Sequence, residues 1–300
     1  MVAIGNFDGV HRGHQSLLSV AVRLAKEQAV PAVAITFEPH PRALLQPEAA
    51  PERLTSLSGK IRCLAQQQLD GLLLLRFTPV LAQLSAEQFV TTVLVRELAI
   101  RTIVVGYNFR FGQGGRGHID TLEGMGKQHG FSVYQPEAAR ADGDIISSTR
   151  IRKLIRQGEL AAASQLLGWP FEIAGRVQPG DQRGRTLGYP TANLSLTGLV
   201  HPPVGVYSVA ALVEGNSKWQ PAVANLGHNP TFGRQYSPRL EIHLLQPLAD
   251  PLYGRKVRVR LYHRLRDERI FPNIQALQQQ IADDITQTRR YFDHNPLEVE

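Results

Sequence analysis

The pattern of apolar and polar positions changes near the middle of the chain. Up to about Leu167, short runs of near-continuous Val, Ile and Leu alternate with longer stretches whose apolar residues recur at helical spacing. The strand-like runs are Val2 to Gly5, Ala32 to Phe37, Leu72 to Phe77, Thr102 to Gly106 and Phe131 to Gln135. The helical stretches are Gly13 to Ala29, Gly59 to Leu69, Ala86 to Leu98 and His118 to His129. Strands that are apolar on both faces, with helices between them, predict an α/β doubly wound parallel sheet. Ligands in such sheets lie beyond the carboxyl ends of the strands. Two short helices, Ser148 to Gln157 and Glu159 to Leu167, lead out of this half, with Ser147 or Ser148 as N-cap.

From Phe171 the runs become short and are separated by Gly, Pro and Asn clusters: Phe171 to Val177, Val206 to Val213, Ala222 to Leu226, Leu240 to Leu245 and Val257 to Tyr262. Five or six such strands predict a small antiparallel β-barrel. A single amphipathic helix follows Pro272 and closes the chain, with Ile274, Leu277, Ile281, Ile285 and Tyr291 or Phe292 expected to form its core stripe. The expected domains are 1–166 and 168–300.

Composition narrows the class. The 300 residues are 43% hydrophobic and 20% charged, enough for two packed cores and unlike a disordered chain. The one cysteine, Cys63, allows neither an internal disulfide nor a cysteine-rich zinc site and reads as a buried thiol. No apolar run is long enough to span a membrane, and the chain opens on a strand rather than on a basic leader, so a cytoplasmic location is expected. The formal charge of +7 comes without a basic tail. Its densest patch, Arg255 to Arg269, alternates Arg258 and Arg260 with Val257, Val259 and Leu261, the signature of a half-exposed strand. A nucleic-acid-binding barrel should interleave aromatics with those cations, and only Tyr262 fits.

The candidate chemistry begins where the first strand runs into Gly5-Asn6-Phe7-Asp8-Gly9-Val10-His11-Arg12-Gly13-His14 and then a helix. Glycines allow a tight turn and a close approach to a ligand, and the helix start offers free amides to phosphate. His11 and His14, three apart, share a face there and supply donors to a phosphate oxygen as charge builds in a phosphoryl or nucleotidyl transfer. A His/His metal pair is the competing reading, but only Asp8 lies near as a third ligand. Further along, Gly106 to Gly112 carries Asn108 after a strand, and Ser147, Ser148, Thr149 and Arg152 place hydroxyls and a guanidinium at a helix start. Phe37-Glu38-Pro39-His40-Pro41 ends the second strand in a rigid turn. Gly112 to Gly117 matches a dinucleotide fingerprint, with Glu137 at the expected distance, yet an aromatic loop separates it from its strand, which argues against a nicotinamide site.

In the second half, Gly180, Gly184 and Gly188 with Arg183 and Arg185 form a cationic, glycine-rich segment suited to polyphosphate. It leads into Pro190, Thr191, Ala192 and Asn193. Thr191 and Asn193 present two neutral oxygens on one side of an extended segment, a set that fits Mg2+ otherwise held by water and phosphates. Glu241 and His243 share one strand face opposite Leu240, Ile242 and Leu244. Glu241 is expected to point inward, where its carboxylate could deprotonate an attacking alcohol.

The Gly-x-Phe-Asp-Gly-x-His-x-Gly-His block resembles the nucleotidyltransferase superfamily. Together with Gly-Tyr-Pro-Thr-Ala-Asn at 188–193 it resembles, over essentially the whole chain, the bacterial bifunctional riboflavin kinase/FMN adenylyltransferases, or FAD synthetases. That resemblance implies a nucleotidyltransferase-like first domain and a kinase barrel. It implies riboflavin, FMN and ATP as substrates, Mg2+ as cofactor, and neither nucleic acid nor membrane as partner. It places the ATP-binding turn on Gly5, Phe7, Asp8, Gly9, His11, Gly13 and His14, with further nucleotide contacts at Asn108 and Ser147 to Arg152. The kinase nucleotide then falls to Gly180, Gly184, Arg185, Gly188, Pro190 and Thr191, the metal to Thr191 and Asn193, and the base to Glu241. Val223 to Gly227 and Pro230-Thr231-Phe232 resemble a further flavin kinase segment. Gln246 departs from the aspartate that often follows the His-Leu-Leu run. A rival reading keeps the transferase and makes the barrel a flavin-sensing module without turnover.

Overall fold

The computed structural model describes residues 1–179, 188–228, 238–246, 248 and 252–297. The chain forms two compact units, Met1–Glu52 with Leu57–Ser148, and Arg53–Ser56 with Thr149–Glu300.

The first unit is built on β1 (Val2–Ile4), β2 (Val33–Glu38), β3 (Gly71–Arg76), β4 (Thr102–Val105) and β5 (Ser132–Tyr134). They pair in the order β3-β2-β1-β4-β5, every pair parallel. β1 is therefore central, and the strand order reverses between β1 and β4, the place where such sheets bind ligands. The intervening helices are α1 (Arg12–Glu27), α2 (Pro41–Leu45), α3 (Leu57–Ala65), α4 (Pro79–Gln83), α5 (Ala86–Gln88) and α6 (Ile119–His129). α5 starts on a capping box at Ser85 and Gln88 and continues as a wider π-helix over Phe89–Glu97. Ile4, Ile35, Ile103, Val105, Leu94 and Leu122 form the core, each fully or nearly fully buried. Cys63 is buried and forms no disulfide, as the composition predicts.

A small hairpin, β6 (Arg140–Ala141) and β7 (Asp144–Ile145), was not evident from periodicity. Its turn residues Asp142 and Gly143 both have positive φ, 53° and 82°, which matches the twist of tight hairpins. The glycines of 112–117 serve packing rather than a dinucleotide: a Cβ on Gly112 would lie 2.6 Å from the Ala86 amide nitrogen, and one on Gly117 would lie 2.8 Å from the Phe111 ring.

α7 (Ser148–Gln157) and α8 (Leu160–Leu167) precede the barrel, and Gly168 ends α8 in the left-handed conformation at φ 89°. The barrel strands are β8 (Glu172–Arg176), β9 (Ala192–Ser195), β10 (Gly205–Val213), β11 (Gln220–His228), β12 (Pro238–Leu244) and β13 (Lys256–Arg266). They run in the order β8-β13-β10-β11-β12-β9, with antiparallel neighbours. The Gln178 amide donates to the Asn193 carbonyl at 2.9 Å and nearly closes the ring. Ala192, Leu194, Leu240, Ile242, Leu244, Val257, Val259 and Leu261 fill the interior.

Two expectations about the barrel need correction. Glu241 does not point inward: Leu240, Ile242 and Leu244 occupy the interior, and the half-buried Glu241 lies on the opposite face of β12. The closing helix, α9 (Ile274–His294), does not present the predicted apolar stripe as its buried face. Of that stripe Phe292 is buried, but Ile274 is 59% exposed and Leu277, Ile281 and Ile285 are only half-buried, whereas Asp284 and Thr288, in line with Phe292 at spacings of four, are buried. Asp284 receives a bidentate ion pair from Arg266 of β13 at 2.8 Å and 3.0 Å, and Thr288 shares a buried hydrogen bond with Ser208 of β10 at 2.9 Å. The polar residues win because their partners are already desolvated inside the contact. The cations of β13 are likewise engaged. Arg258 grips Glu172 at 2.9 Å, and Arg258 and Arg260 lie 4.8 Å and 4.0 Å from the centroid of Trp219.

Both tryptophans, Trp169 and Trp219, belong to the second unit, so their fluorescence reports its unfolding alone. Arg266→Met strands the Asp284 carboxylate, whose side chain is 3% exposed. Tryptophan-monitored urea unfolding is expected to show a loss of about 3 to 5 kcal/mol. Asp284→Asn, which leaves the more accessible guanidinium to rehydrate, should cost less. Equal or negligible losses would show that this pair does not hold α9.

Candidate functional site

In the first unit the polypeptide leaves β1 through a turn that ordinary residues avoid. Phe7 has φ 47°, Gly9 φ 77° and Val10 φ 38°, so two bulky residues occupy left-handed backbone. Each costs on the order of 1 to 3 kcal/mol and persists only where packing over-determines it. Here Phe7 is 1% exposed and Val10 fully buried. The glycines fit the same constraint. A Cβ on Gly5 would come within 3.1 Å of the Phe7 ring, and one on Gly13 within 3.0 Å of the Ile146 carbonyl and 3.1 Å of His11 Nδ1.

The turn delivers the two imidazoles as a stack, with centroids 3.7 Å apart and planes at 18°. His11 caps α1, its Nδ1 facing the His14 amide at 3.4 Å. With Nδ1 accepting, Nε2 carries the ring N–H. Phe7 closes over His14 edge-on at 5.3 Å. His14 Nδ1 is buried with no hydrogen-bond partner, a feature that calls for a functional explanation. Burial, and then the neighbouring His11 and Lys60, hold His14 well below the usual imidazole range, so it is neutral at pH 7. It can thus give or take a hydrogen bond at a phosphate without carrying a charge of its own.

Sequence reasoning passed over Lys60, treating its helix only as the carrier of Cys63. The side chain is buried at the carboxyl ends of β1 and β2, and its ammonium donates to the Phe37 carbonyl at 3.2 Å, Thr36 Oγ1 at 3.3 Å and the Asn6 carbonyl at 3.5 Å, with Glu38 Oε2 at 3.9 Å. Thr36 Oγ1 in turn donates to the Asn6 carbonyl at 3.0 Å. The available signal was a lysine on the apolar side of a helix beside Cys63 and Leu64.

Asn108 is exposed on the turn after β4, across the switch point from the histidine turn. The Ser148 hydroxyl donates to the Asp8 carbonyl at 3.1 Å and ties the start of α7 to that turn; Ser148 is the first helical residue, so Ser147 stands at the cap position. α7 itself is divided: Thr149, exposed, and Arg152, buried, belong to the second unit. The Phe37 to Pro41 turn serves α2, where His40 Nδ1 accepts from the Arg42 amide at 3.2 Å.

In the barrel, His243 Nδ1 and the Pro190 carbonyl lie 3.0 Å apart, and Tyr189 meets the His243 ring edge-on at 5.4 Å. The Gly188 to Asn193 segment thereby lies on the same face of β12 as Glu241. β9 pairs Asn193 directly with Glu241. Asn193 is 6% exposed and its Oδ1 has no hydrogen-bond partner among the described residues. A desolvated amide oxygen without a donor is what a hard cation would satisfy, and Thr191, two residues away on an extended strand, can add its hydroxyl. Gly180, Gly184, Arg185 and Pro230 to Phe232 lie outside the described residues.

Comparison with known proteins agrees with this two-part geometry. The FAD synthetase family model matches residues 1–150, and the riboflavin kinase model matches residues 167–292. The bifunctional riboflavin kinase/FMN adenylyltransferase of Escherichia coli (strain K12) is 41% identical over 97% of this chain and 92% of its own length. This chain belongs to the bifunctional riboflavin kinase/FMN adenylyltransferase family. The Pseudomonas fluorescens member is 39% identical over 96% of this chain and 92% of its own. A crystal structure described as a macrolide-efflux protein from Streptococcus pneumoniae superposes with a TM-score of 0.81 at 32% identity, covering 96% of this chain and 93% of that one. No described helix here is long and apolar enough to cross a membrane. The family membership rests on both halves of the chain.

The depressed His14 has a thermodynamic consequence. A histidine that stays neutral in the fold but titrates near pH 6.5 when unfolded contributes stability that is present above that pH and is lost progressively as pH falls below it. NMR of the imidazole carbons should show His14 still neutral through pH 6.5. A midpoint at the free-imidazole value would refute the neutral state.

Proposed function

We propose that the two reactions of this family are divided between the two halves of the chain: residues 168–300 phosphorylate riboflavin, and residues 1–166 convert the product to FAD. The chain is an enzyme of flavin cofactor synthesis acting on riboflavin, FMN and ATP. Its substrates are small molecules, so neither a nucleic acid nor a membrane is needed as partner, and the expected location is the cytoplasm.

In the kinase half, the 5′-hydroxyl oxygen of riboflavin attacks the γ-phosphorus of ATP. The bond to the β-bridging oxygen breaks, ADP leaves, and the hydroxyl proton passes to Glu241. A base is required because the nucleophile is a neutral alcohol. Thr191 and Asn193 would hold Mg2+, which when bound offsets the charge of the polyphosphate. Gly180, Gly184 and Arg185 are the further nucleotide contacts that the sequence offers. On the outer face of β12, the half-buried Glu241 pairs directly with Asn193.

In the other half, a phosphate oxygen of FMN attacks the α-phosphorus of a second ATP, and pyrophosphate leaves. FMN arrives already anionic, so no base is called for. What the site must supply is orientation and donors to the developing charge. The His11/His14 stack at the strand-order reversal is the observation that carries this reading. The amides and hydroxyls of Ser147 and Ser148, with Asn108, would complete the nucleotide contacts within the first unit.

The test is chromatography of flavins after incubation with riboflavin and MgATP. The parent protein should yield FMN and then FAD. His14→Ala should lower FMN-to-FAD conversion by on the order of 10²-fold or more while leaving FMN formation intact. Glu241→Gln should lower riboflavin phosphorylation by roughly 10² to 10⁴ while supplied FMN is still adenylylated. A fragment beginning near Gly168 should make FMN only. Loss of both activities in either point variant would indicate a damaged fold, and unaltered rates would remove the assigned role.

A further inference from the structure

Asn225 and Gly227 stand in a sequence block that neither reaction above employs. On β11, Asn225 pairs directly with Glu241 of β12, and Glu241 pairs with Asn193 of β9. Directly opposed residues of antiparallel strands share a face. Asn193, Glu241 and Asn225 thus form a polar row on the side of the barrel wall away from Leu240 and Ile242. At one end of the row is the buried, partnerless Oδ1 of Asn193. At the other end, Asn225 Nδ2 donates to Glu268 Oε1 at 3.0 Å.

Glu268 lies just beyond the end of β13 and is exposed. Its neighbours in sequence are engaged elsewhere, Asp267 with Arg264 and Arg269 with the Gln280 side chain. Glu268 alone turns back over β11. Gly227, two residues from Asn225 on the same face, makes room for it: a Cβ there would lie 2.2 Å from Glu268 Oε1 and 3.0 Å from its Cδ. A glycine and an amide on one strand thus cooperate to hold one exposed carboxylate over β11, at the residue that pairs with Glu241.

We propose that Glu268 contacts substrate in the kinase site, accepting hydrogen bonds from the secondary hydroxyls of the ribityl chain, with Asn225 as the residue that orients it. This rests on the reading that the Glu241 face is the kinase site. A carboxylate offers about four acceptor positions, of which Asn225 takes one. A run of vicinal hydroxyls is a run of donors, and charge-assisted acceptors bind them more strongly than neutral ones. Neighbouring strands are about 4.8 Å apart, a spacing that a five-carbon chain bridges, so a substrate with its 5′-hydroxyl at Glu241 brings its inner hydroxyls to Glu268.

The test compares riboflavin with lumiflavin, which has the same ring system and no ribityl chain. Fluorescence titration of the full chain should show Glu268→Ala weakening riboflavin about tenfold or more, with lumiflavin affinity unchanged. The riboflavin KM should rise while kcat falls far less than in Glu241→Gln. Gly227→Ala, which pushes the carboxylate aside, should reproduce the selectivity, and unchanged melting curves would show that the fold survives. Riboflavin affinity within twofold of the parent, or equal loss for both flavins, would overturn the proposal. A parent protein that binds but never phosphorylates riboflavin would instead overturn the kinase reading, and this proposal with it.

Discussion

The first unit depends on a backbone that has to turn through sparsely populated left-handed space at the end of β1. Phe7, Gly9 and Val10 are left-handed within four residues, and nothing local favours that for Phe or Val. The conformation is imposed by burial: Phe7 and Val10 are sealed into the core, and Lys60 fastens Asn6 from beneath through its carbonyl. The fold spends stability here and obtains rigidity. Two imidazoles that would otherwise sample several rotamers are stacked face to face, with Phe7 against the second. Preorganised donors of this kind act on a transition state without reorganising when the reaction occurs.

The barrel solves a different problem with a different device. Its interior is fully apolar along β12 and β9, so polar chemistry has to be mounted on the outer surface of the wall, where alternation places Asn193, Glu241 and His243. Pairing across strands sets them side by side. The Gly188 to Asn193 segment is held by His243 at Pro190, and the side-chain amide oxygen of Asn193 is desolvated on the same wall. A polar row on a rigid sheet holds its geometry better than the same residues on a loop.

Much of this was legible in the chain because period and turn chemistry agree. The alternation of apolar strands with amphipathic helices led to the parallel sheet, and the glycines around Phe7 marked the turn. The misses have physical causes. β9 is four residues long and follows Pro190, so it read only as an extended segment. α9 was assigned an apolar stripe because Ile274, Leu277, Ile281 and Ile285 recur at helical spacing; no sequence pattern reveals that Asp284 and Thr288 have buried partners on β13 and β10. Lys60 was missed for the same reason, since a lysine among apolar positions looks like a side chain reaching out to water. Glu241 was placed on the wrong side of the wall although Leu240, Ile242 and Leu244 already marked the interior.

On the proposed division of the two reactions, their nucleophiles account for why the halves are built so unlike each other. An alcohol must lose a proton as it attacks, so its site needs a carboxylate with access to solvent, and a half-buried strand face provides one. A phosphate monoester is already anionic, so a second carboxylate would repel it; its site needs donors that carry no negative charge. A neutral His14, held so by desolvation and by the cations around it, meets that need. A carboxylate in the place of His14 would not serve, because the desolvation that keeps the imidazole neutral also disfavours an ionised carboxylate. Two successive transfers from ATP to one flavin therefore call for two electrostatic environments, and separate sheets with separate cores supply them.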